Sequence, residues 1–520
     1  MEGTMQGNSS SNFDIQYNPS RRTKFQLMGL LLALNIIIRI PSIPHEKGYD
    51  SFFIHTLANS ISSFGEAKWW INWMSIFGLY PNSYSSAVPF TLSGISQVMG
   101  IEMEKTILFF CVIIGIFGMF TAYVFAERIY NNFLFKYTMS LFFSLAPGFM
   151  LFTTWEVSTR GQFVAFFPLF IYILLKEDLK IKKYILSLVC FIFIFSTHNY
   201  AYFLVPISGL YILLKITQKI KPEFFKNPHI GYIFVLLFIA SLIYPFFTGL
   251  FISSGSRYSW VLGAITTNIR QTGPLMLFLP GGLIYIFLKK KTLELMFMSL
   301  ITILLAPIFY SQIYGPFILI LIFVFLVSVA YNNFLKVTIN SKHKLLTLGV
   351  IITILFLVSF SSFYNHYRTG GSDSFWYMQE STYASGMWAK NHVPENTRGL
   401  DTGFETGRFF AISEGHPITI SQDPANLAYG WINESDMVIE KNSPMSLNYY
   451  FDGPYSVKGG TTFIGSIEWL KYTANKIRTL KEFDYFIQDK NQYRPVDDVV
   501  EREASMIFDS PRISIWKIPS

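Results

Sequence analysis

Glu46, Asp50 and His55 fall inside one short stretch, HEKGYDSFFIH (residues 45–55), a few residues beyond the first long apolar run of the chain. Glu156 and Arg160 share the stretch TTWEVSTRGQ, His198 sits in STHNYAY, and Arg257, Arg270 and Gln271 follow in SGSRYSW and NIRQTGPL. These residue types suit one kind of chemistry. A carboxylate can take the proton of an attacking nucleophile, or serve as an oxygen ligand to a hard cation. Guanidinium forks match the oxygens of a phosphate. A histidine can carry a proton or hold a phosphate near neutral pH. Brought to one place, the set would handle a phosphate-bearing substrate.

Each residue also has a plainer role open to it. Asp50 suits the cap of a helix beginning at Ser51. Glu156 stands beside Trp155 and four residues before Arg160, a spacing for an interfacial anchor with a local ion pair. His198, between Thr197 and Asn199, suits an interfacial turn, and the arginines suit side chains that snorkel at a membrane edge. Glu46 lies four residues before Asp50, on the same face if the segment is helical, and is the substitute for it.

What must position these residues follows from composition. Of 520 residues, 51% are hydrophobic and 14% charged, with 53 Phe and 30 Tyr, and the mean hydropathy is +0.36. Water-soluble folds of this size are not built so, and the chain reads as a polytopic α-helical membrane protein. Cys111 and Cys190 both sit in apolar runs and form neither a disulfide framework nor a metal set. Residues 1–23 read as a disordered cytoplasmic tail without the apolar core of a signal peptide.

Windows of about 20 apolar residues, the length that crosses the hydrocarbon layer, number eleven: 24–42, 105–126, 133–152, 160–176, 181–197, 199–217, 229–252, 273–289, 292–308, 313–332 and 343–363. Basic residues collect in alternate loops, from Arg21, Arg22 and Lys24 through Arg128 and Lys136, Lys176 to Lys183, Lys215 to Lys226, Lys289 to Lys291, and Lys336 to Lys344. That side is cytoplasmic. The N-terminus is then inside and the C-terminus outside, and the formal net charge of +8 is mostly topology, with no nucleic-acid partner implied. Every residue named at the outset falls on the outer face. Ionisable groups at membrane depth are costly and mark a substrate path, so their convergence is the site hypothesis.

The outer loop 43–104 also holds GEAKWWINWMSIFGLYP, in which Trp69, Trp70 and Trp73 fall at helical spacing. It reads as an interfacial amphipathic helix, either an aromatic anchor or the wall of a lipid-chain groove. Residues 24–363 thus form a transmembrane domain. Beyond it, 364–520 turns polar and mixed, with no spanning run. RGLDTG, ITISQD and DYFIQD read as strands, and YMQESTYASGMWAKNHV and TTFIGSIEWLKYTANKI as helices, predicting a small α/β domain outside the cell. Asn433-Glu434-Ser435 is a glycosylation-type triplet on that side.

An acid soon after the first helix, a second acid in the next outer loop, many further helices and an outer C-terminal domain together resemble the membrane-embedded C-type glycosyltransferases. The stretch ASGMWAKNHVPENTRGLDTG is also similar to oligosaccharyltransferase catalytic subunits, in which a helix ending in a Trp-x-x-x-x-x-Pro phrase leads to a Trp-Trp-Asp-Tyr-Gly motif. Here that motif's place is taken by Gly399-Leu400-Asp401-Thr402-Gly403, with neither tryptophan. The second outer loop offers Glu156 alone where those subunits carry an acid-x-acid pair.

The resemblance implies an inverting glycosyltransferase of the cell membrane, of a single-membrane archaeal type, using a sugar on polyprenyl (dolichyl) phosphate and a glycan, lipid or protein acceptor at the outer face. It implies Asp50 as general base with Glu156 assisting, and a substrate-binding set of Glu46, His55, Arg160, His198, Arg257, Arg270, Gln271 and Asp401. A divalent cation such as Mg or Mn would sit on Asp50 and Glu156 if one is used; the alternative is catalysis without a cofactor. An oligosaccharyltransferase acting on protein asparagine is the second reading. A scaffold or a transporter is the third, although no internal repeat points to a transporter.

Overall fold

The computed structural model describes residues 19–68, 85–176, 181–224, 227–247, 259–288, 292–311, 315–341, 344–367, 376–401, 403, 405–419, 427–430, 439–443, 455–457, 483–492 and 496–519. The Trp69–Trp73 segment, Arg257, the Asn433 triplet and the predicted helix at 461–477 lie outside them.

Helix α1 (Arg21–Ile37) opens on Ser20, whose hydroxyl accepts the Thr23 N–H. The described part of the segment between α1 and α4 forms two helices, α2 (Tyr49–Phe64) and α3 (Ala87–Met99), packed on each other. Then come α4 (Met103–Ile129), α5 (Phe133–Ser144), the short α6 (Pro147–Leu151), α7 (Thr159–Leu175) and α8 (Ile181–Thr197). A 3₁₀ turn (Asn199–Phe203) leads to α9 (Leu204–Ile220), followed by α10 (Pro228–Phe247) and α11 (Ser259–Thr272). The membrane part ends with α12 (Leu279–Leu288), α13 (Leu293–Ser311), α14 (Gly315–Ser341) and α15 (Lys344–Tyr367).

A helix falls on each of the predicted apolar windows, with two differences. The window 133–152 is broken ahead of Pro147, which has no N–H to continue α5. The window 273–289 does not stand alone: α11 runs into it through a bend of 117° centred on Gly273, whose φ of +96° only glycine adopts readily. By length and composition four of the described helices can cross a membrane, or five if that bent pair counts as one. Their burial sorts them: the spanning part of α14 is 83% buried and forms the central pillar, while that of α15 is 11% buried and lies on the outside.

Around α14 the core is aromatic and close-packed, with Phe125, Phe143, Phe149, Phe163 and Phe167 fully buried among α4, α5, α6 and α7. One cation is buried among them. Arg39, just past α1, donates to Asn35 Oδ1 (2.7 Å), Thr153 Oγ1 (3.0 Å) and the Ser144 carbonyl (2.8 Å). These bonds tie the exit of α1 to the α5–α6 segment and so to the loop that follows it. Gly115 leaves the space: a Cβ there would fall on the guanidinium.

The C-terminal part is the predicted α/β unit. Helix α16 (Glu380–His392) leads to β1 (Arg398–Asp401), α17 (Glu405–Ser413) and β2 (Ile418–Thr419), then β3 (Ile439–Lys441) and β4 (Tyr455–Val457), which form a two-stranded ribbon. Next come β5 (Tyr485–Asp489), α18 (Asp497–Glu503), β6 (Ser505–Asp509) and β7 (Ile513–Lys517). The main sheet has the order β2-β1-β5-β7-β6, parallel through β2, β1 and β5 and antiparallel beyond. The strand–helix–strand passage through α17 is what a parallel pair requires. Helix α17 then packs on α2, seating the domain on the segment between α1 and α4.

Candidate active site

Asp50 stands in the first turn of α2, whose cap is Gly48 at φ +92°. The helix therefore begins at Tyr49, ahead of Asp50, and not at Ser51. Its carboxylate is instead engaged across the loops: Arg160 Nη2 lies 2.9 Å from Asp50 Oδ2. The Asp50 side chain keeps 32% of its surface open, enough to meet a substrate. Arg160 is in the first turn of α7, capped by the Ser158 hydroxyl, with its guanidinium above the Phe152 ring. Local spacing suggested Glu156 as a partner; the loop path also brings Arg160 to Asp50.

Glu156 is 2% exposed and its side chain rests against Gly48, two residues before Asp50. It is brought there by backbone bonds on either side of it. Lys47 N–H donates to the Trp155 carbonyl (3.1 Å), and Val157 N–H donates to the Ser51 hydroxyl (3.0 Å). Asp50 falls between Lys47 and Ser51, so the two predicted acids share one small region. Gly48 N–H in turn donates to the Trp376 carbonyl (2.9 Å), and Lys47 forms an isolated bridge with Tyr377, so the segment entering the C-terminal unit borders the same region.

His198 joins from the turn between α8 and α9. Its Nδ1 accepts the Tyr200 N–H (3.0 Å), and its ring packs on Phe163 and Tyr200. Burial and the Arg160 guanidinium push it down to about 3. The ring is thus neutral, with Nε2–H as its donor, and offers a phosphate a hydrogen bond without a charge.

Other predicted residues lie elsewhere. Glu46 precedes α2 rather than sharing its face with Asp50, because the backbone at Gly48 interrupts the helix. It is fully buried, with Oε1 2.7 Å from His55 Nδ1. Burial raises the Glu46 carboxyl above its ordinary value against the pull of His55, and on His55 the nearby carboxylate outweighs burial and raises the imidazole too. The pair is buried and faces inward. Arg270 is exposed in the last turn of α11, while the neighbouring Gln271 presses on Gly148 of α6, eight residues before Glu156 in sequence. Asp401 is buried at the end of β1, in register with Ile487 of β5.

Sequence reasoning missed a hub beside the site. His45 reaches Glu104 through Nδ1 and Glu380 through Nε2, both at 3.0 Å, and stacks on Tyr383 at 4.2 Å. Burial opposes its charge, but the Glu104 and Glu380 carboxylates together outweigh it and raise the imidazole above its ordinary value. Three distant pieces of chain meet here: the segment between α1 and α2, the start of α4 and the start of α16. Only the position of His45 beside Glu46 hinted at it.

Among the described residues no three of His, Cys, Asp and Glu converge as a metal-ligand set. A guanidinium stands against Asp50 where a cation would bind, so among the described residues Asp50 and Glu156 do not make a donor set for a resident divalent ion.

No protein-family model matches the sequence, and no curated protein matches it. Solved structures do. The apo Archaeoglobus fulgidus oligosaccharyltransferase superposes with a TM-score of 0.55 at 12% identity, over 90% of this chain and 70% of that one. ArnT from Cupriavidus metallidurans bound to undecaprenyl phosphate gives 0.55 at 10% identity, over 96% and 98%. Both are C-type glycosyltransferases. The chain has their fold. Another form of the archaeal enzyme is tethered with an acceptor peptide containing the NVT sequon (0.55, 12%, over 90% of this chain and 69% of that one), and a third is a complex with Zn and sulfate (0.54, 12%, over 95% and 74%).

Proposed function

We propose that the protein is a membrane glycosyltransferase that moves a sugar from a polyprenyl-phosphate donor to a glycan, lipid or protein acceptor at the outer membrane face. One observation carries this reading on a C-type glycosyltransferase fold: an accessible Asp50 carboxylate oriented by Arg160, with the buried Glu156 side chain resting against Gly48, two residues before it.

The reaction is a single displacement with inversion. The acceptor oxygen or nitrogen attacks the anomeric carbon, a new carbon–heteroatom bond forms, and the carbon–oxygen bond to the lipid phosphate breaks. The electron pair leaves on the phosphate, and the acceptor proton passes to Asp50 as general base. Arg160 fixes the carboxylate through a charge-assisted hydrogen bond. Glu156 orients the acceptor. The neutral His198 donates to the leaving phosphate. No step requires a divalent ion.

The superposition on an oligosaccharyltransferase tethered with an acceptor peptide supports protein asparagine as the second acceptor reading. In both readings the site faces outward and the N-terminus is cytoplasmic.

The test incubates the purified protein in lipid with radiolabelled polyprenyl-monophosphate and polyprenyl-diphosphate sugars, with and without chelator. Label released from lipid, undiminished by chelator, is the expected result. No release from any donor by folded protein turns the assignment to a scaffold.

A further inference from the structure

Gly48 and Ser51 flank Asp50 in sequence, and both touch the neighbourhood of Glu156. A Cβ built on Gly48 would lie 2.5 Å from Glu156 Cγ, 2.6 Å from Cδ and 2.8 Å from Oε1. All three atoms belong to one side chain, so the Glu156 carboxyl rests on the bare backbone of Gly48. Ser51, fully buried, holds the Val157 N–H, and Lys47 holds the Trp155 carbonyl. Trp155 has φ +53°, a region that non-glycine residues seldom occupy, and the bond from Lys47 braces it there. The residues on both sides of Glu156 are thereby anchored to residues on both sides of Asp50.

We infer that Gly48 and Ser51 are positioning residues that set the Glu156 carboxyl against Asp50. The competing account is that Gly48 serves the turn alone. Gly65, at the other end of α2, separates the two: it has φ +71° and nothing within 4 Å of a built Cβ. A methyl at Gly65 meets the same kind of backbone strain but displaces no side chain. The inference rests on the proposed roles of Asp50 and Glu156 in glycosyl transfer.

The experiment measures kcat and KM for donor in lipid, with thermal unfolding, for the whole protein and for Gly48→Ala, Ser51→Ala and Gly65→Ala. A displacement of about 1 Å at a reacting group costs on the order of 100-fold in rate. Gly48→Ala is expected to lose about that in kcat and Ser51→Ala about tenfold, with KM within about twofold, while Gly65→Ala keeps the wild-type kcat. In a Glu156→Gln background, adding either Gly48→Ala or Ser51→Ala is expected to lower kcat no further, because the carboxylate they position is gone. Wild-type kcat in the folded single variants, or losses that multiply with Glu156→Gln, overturns the inference while leaving the transferase reading intact. Should Gly48→Ala not fold, Ser51→Ala and its cycle with Glu156→Gln decide the matter. A wild-type protein that releases no sugar overturns both.

Discussion

At the scale of single residues, the pairing of Asp50 with Arg160 turns a surface carboxylate into an oriented one. Surface ion pairs contribute little to stability, so its value lies in geometry. A fork with two usable N–H directions holds a carboxylate plane in a way that a point charge does not. Arg160→Gln is expected to lower kcat for sugar release by about 10-fold to 100-fold, and Arg160→Lys to restore only a small part, as steady-state kinetics in lipid would show; full rescue by lysine would mean that charge alone is used. Asp50, Glu156, Arg160 and His198 stood out in the sequence as ionisable residues in the connections between apolar windows, and the structure brings them into one neighbourhood. Their partners did not stand out. Arg160 meets Asp50 only after the loops fold, and His45 finds Glu104 and Glu380 at sequence separations of 59 and 335. Gly48 carried a faint signal, a glycine two residues before an acid, but its contact with Glu156 depends on the path of the second loop.

At the scale of elements, the segment between α1 and α4 is the organiser. Helix α2 carries Asp50 at its start, packs on α17 of the C-terminal unit, and donates Asn59 Nδ2 to the Ala411 carbonyl (2.8 Å). Helix α16 is fastened beside it by His45. The folded-state imidazole lies above its ordinary value of 6.5, so the folded chain holds that proton more tightly than the unfolded one. The stabilisation is therefore fully present below about pH 6.5 and is lost as pH rises through the higher folded value. Thermal unfolding of wild type and His45→Gln should thus differ most at about pH 6 and converge towards about pH 9. A gap that widens with pH would contradict the protonated clamp. The membrane helices were legible from apolar length, and β1, β2 and β5 from short runs between turn residues, whereas β3, β4, β6, β7, α17 and α18 were not read from the sequence. The break before Pro147 and the bend at Gly273 were harder to place, because apolar length alone does not say where a helix changes direction.

At the scale of the whole molecule, the fold joins an aromatic membrane core around α14 to a mixed five-stranded sheet, with the acids at the seam. The composition made the membrane class legible, since nothing else accounts for so many apolar residues with so few charges. Sidedness rests on loop charge. In a chain with both native cysteines replaced, Glu395→Cys is expected to react with an impermeant thiol reagent on intact cells, and Lys219→Cys only after lysis. Both positions are exposed. Labelling of both from one side would overturn the topology and with it the outer-face site.

The central claim, that Asp50 takes the acceptor proton during transfer from a lipid phosphate, is tested most directly by comparing wild type with Asp50→Asn for label released from polyprenyl-phosphate sugar. The amide keeps the shape and loses the base, and removal of a general base costs on the order of 100-fold to 10,000-fold. The account predicts a loss of kcat in that range, with an unfolding temperature close to wild type. Turnover that persists in the folded Asp50→Asn protein would contradict it.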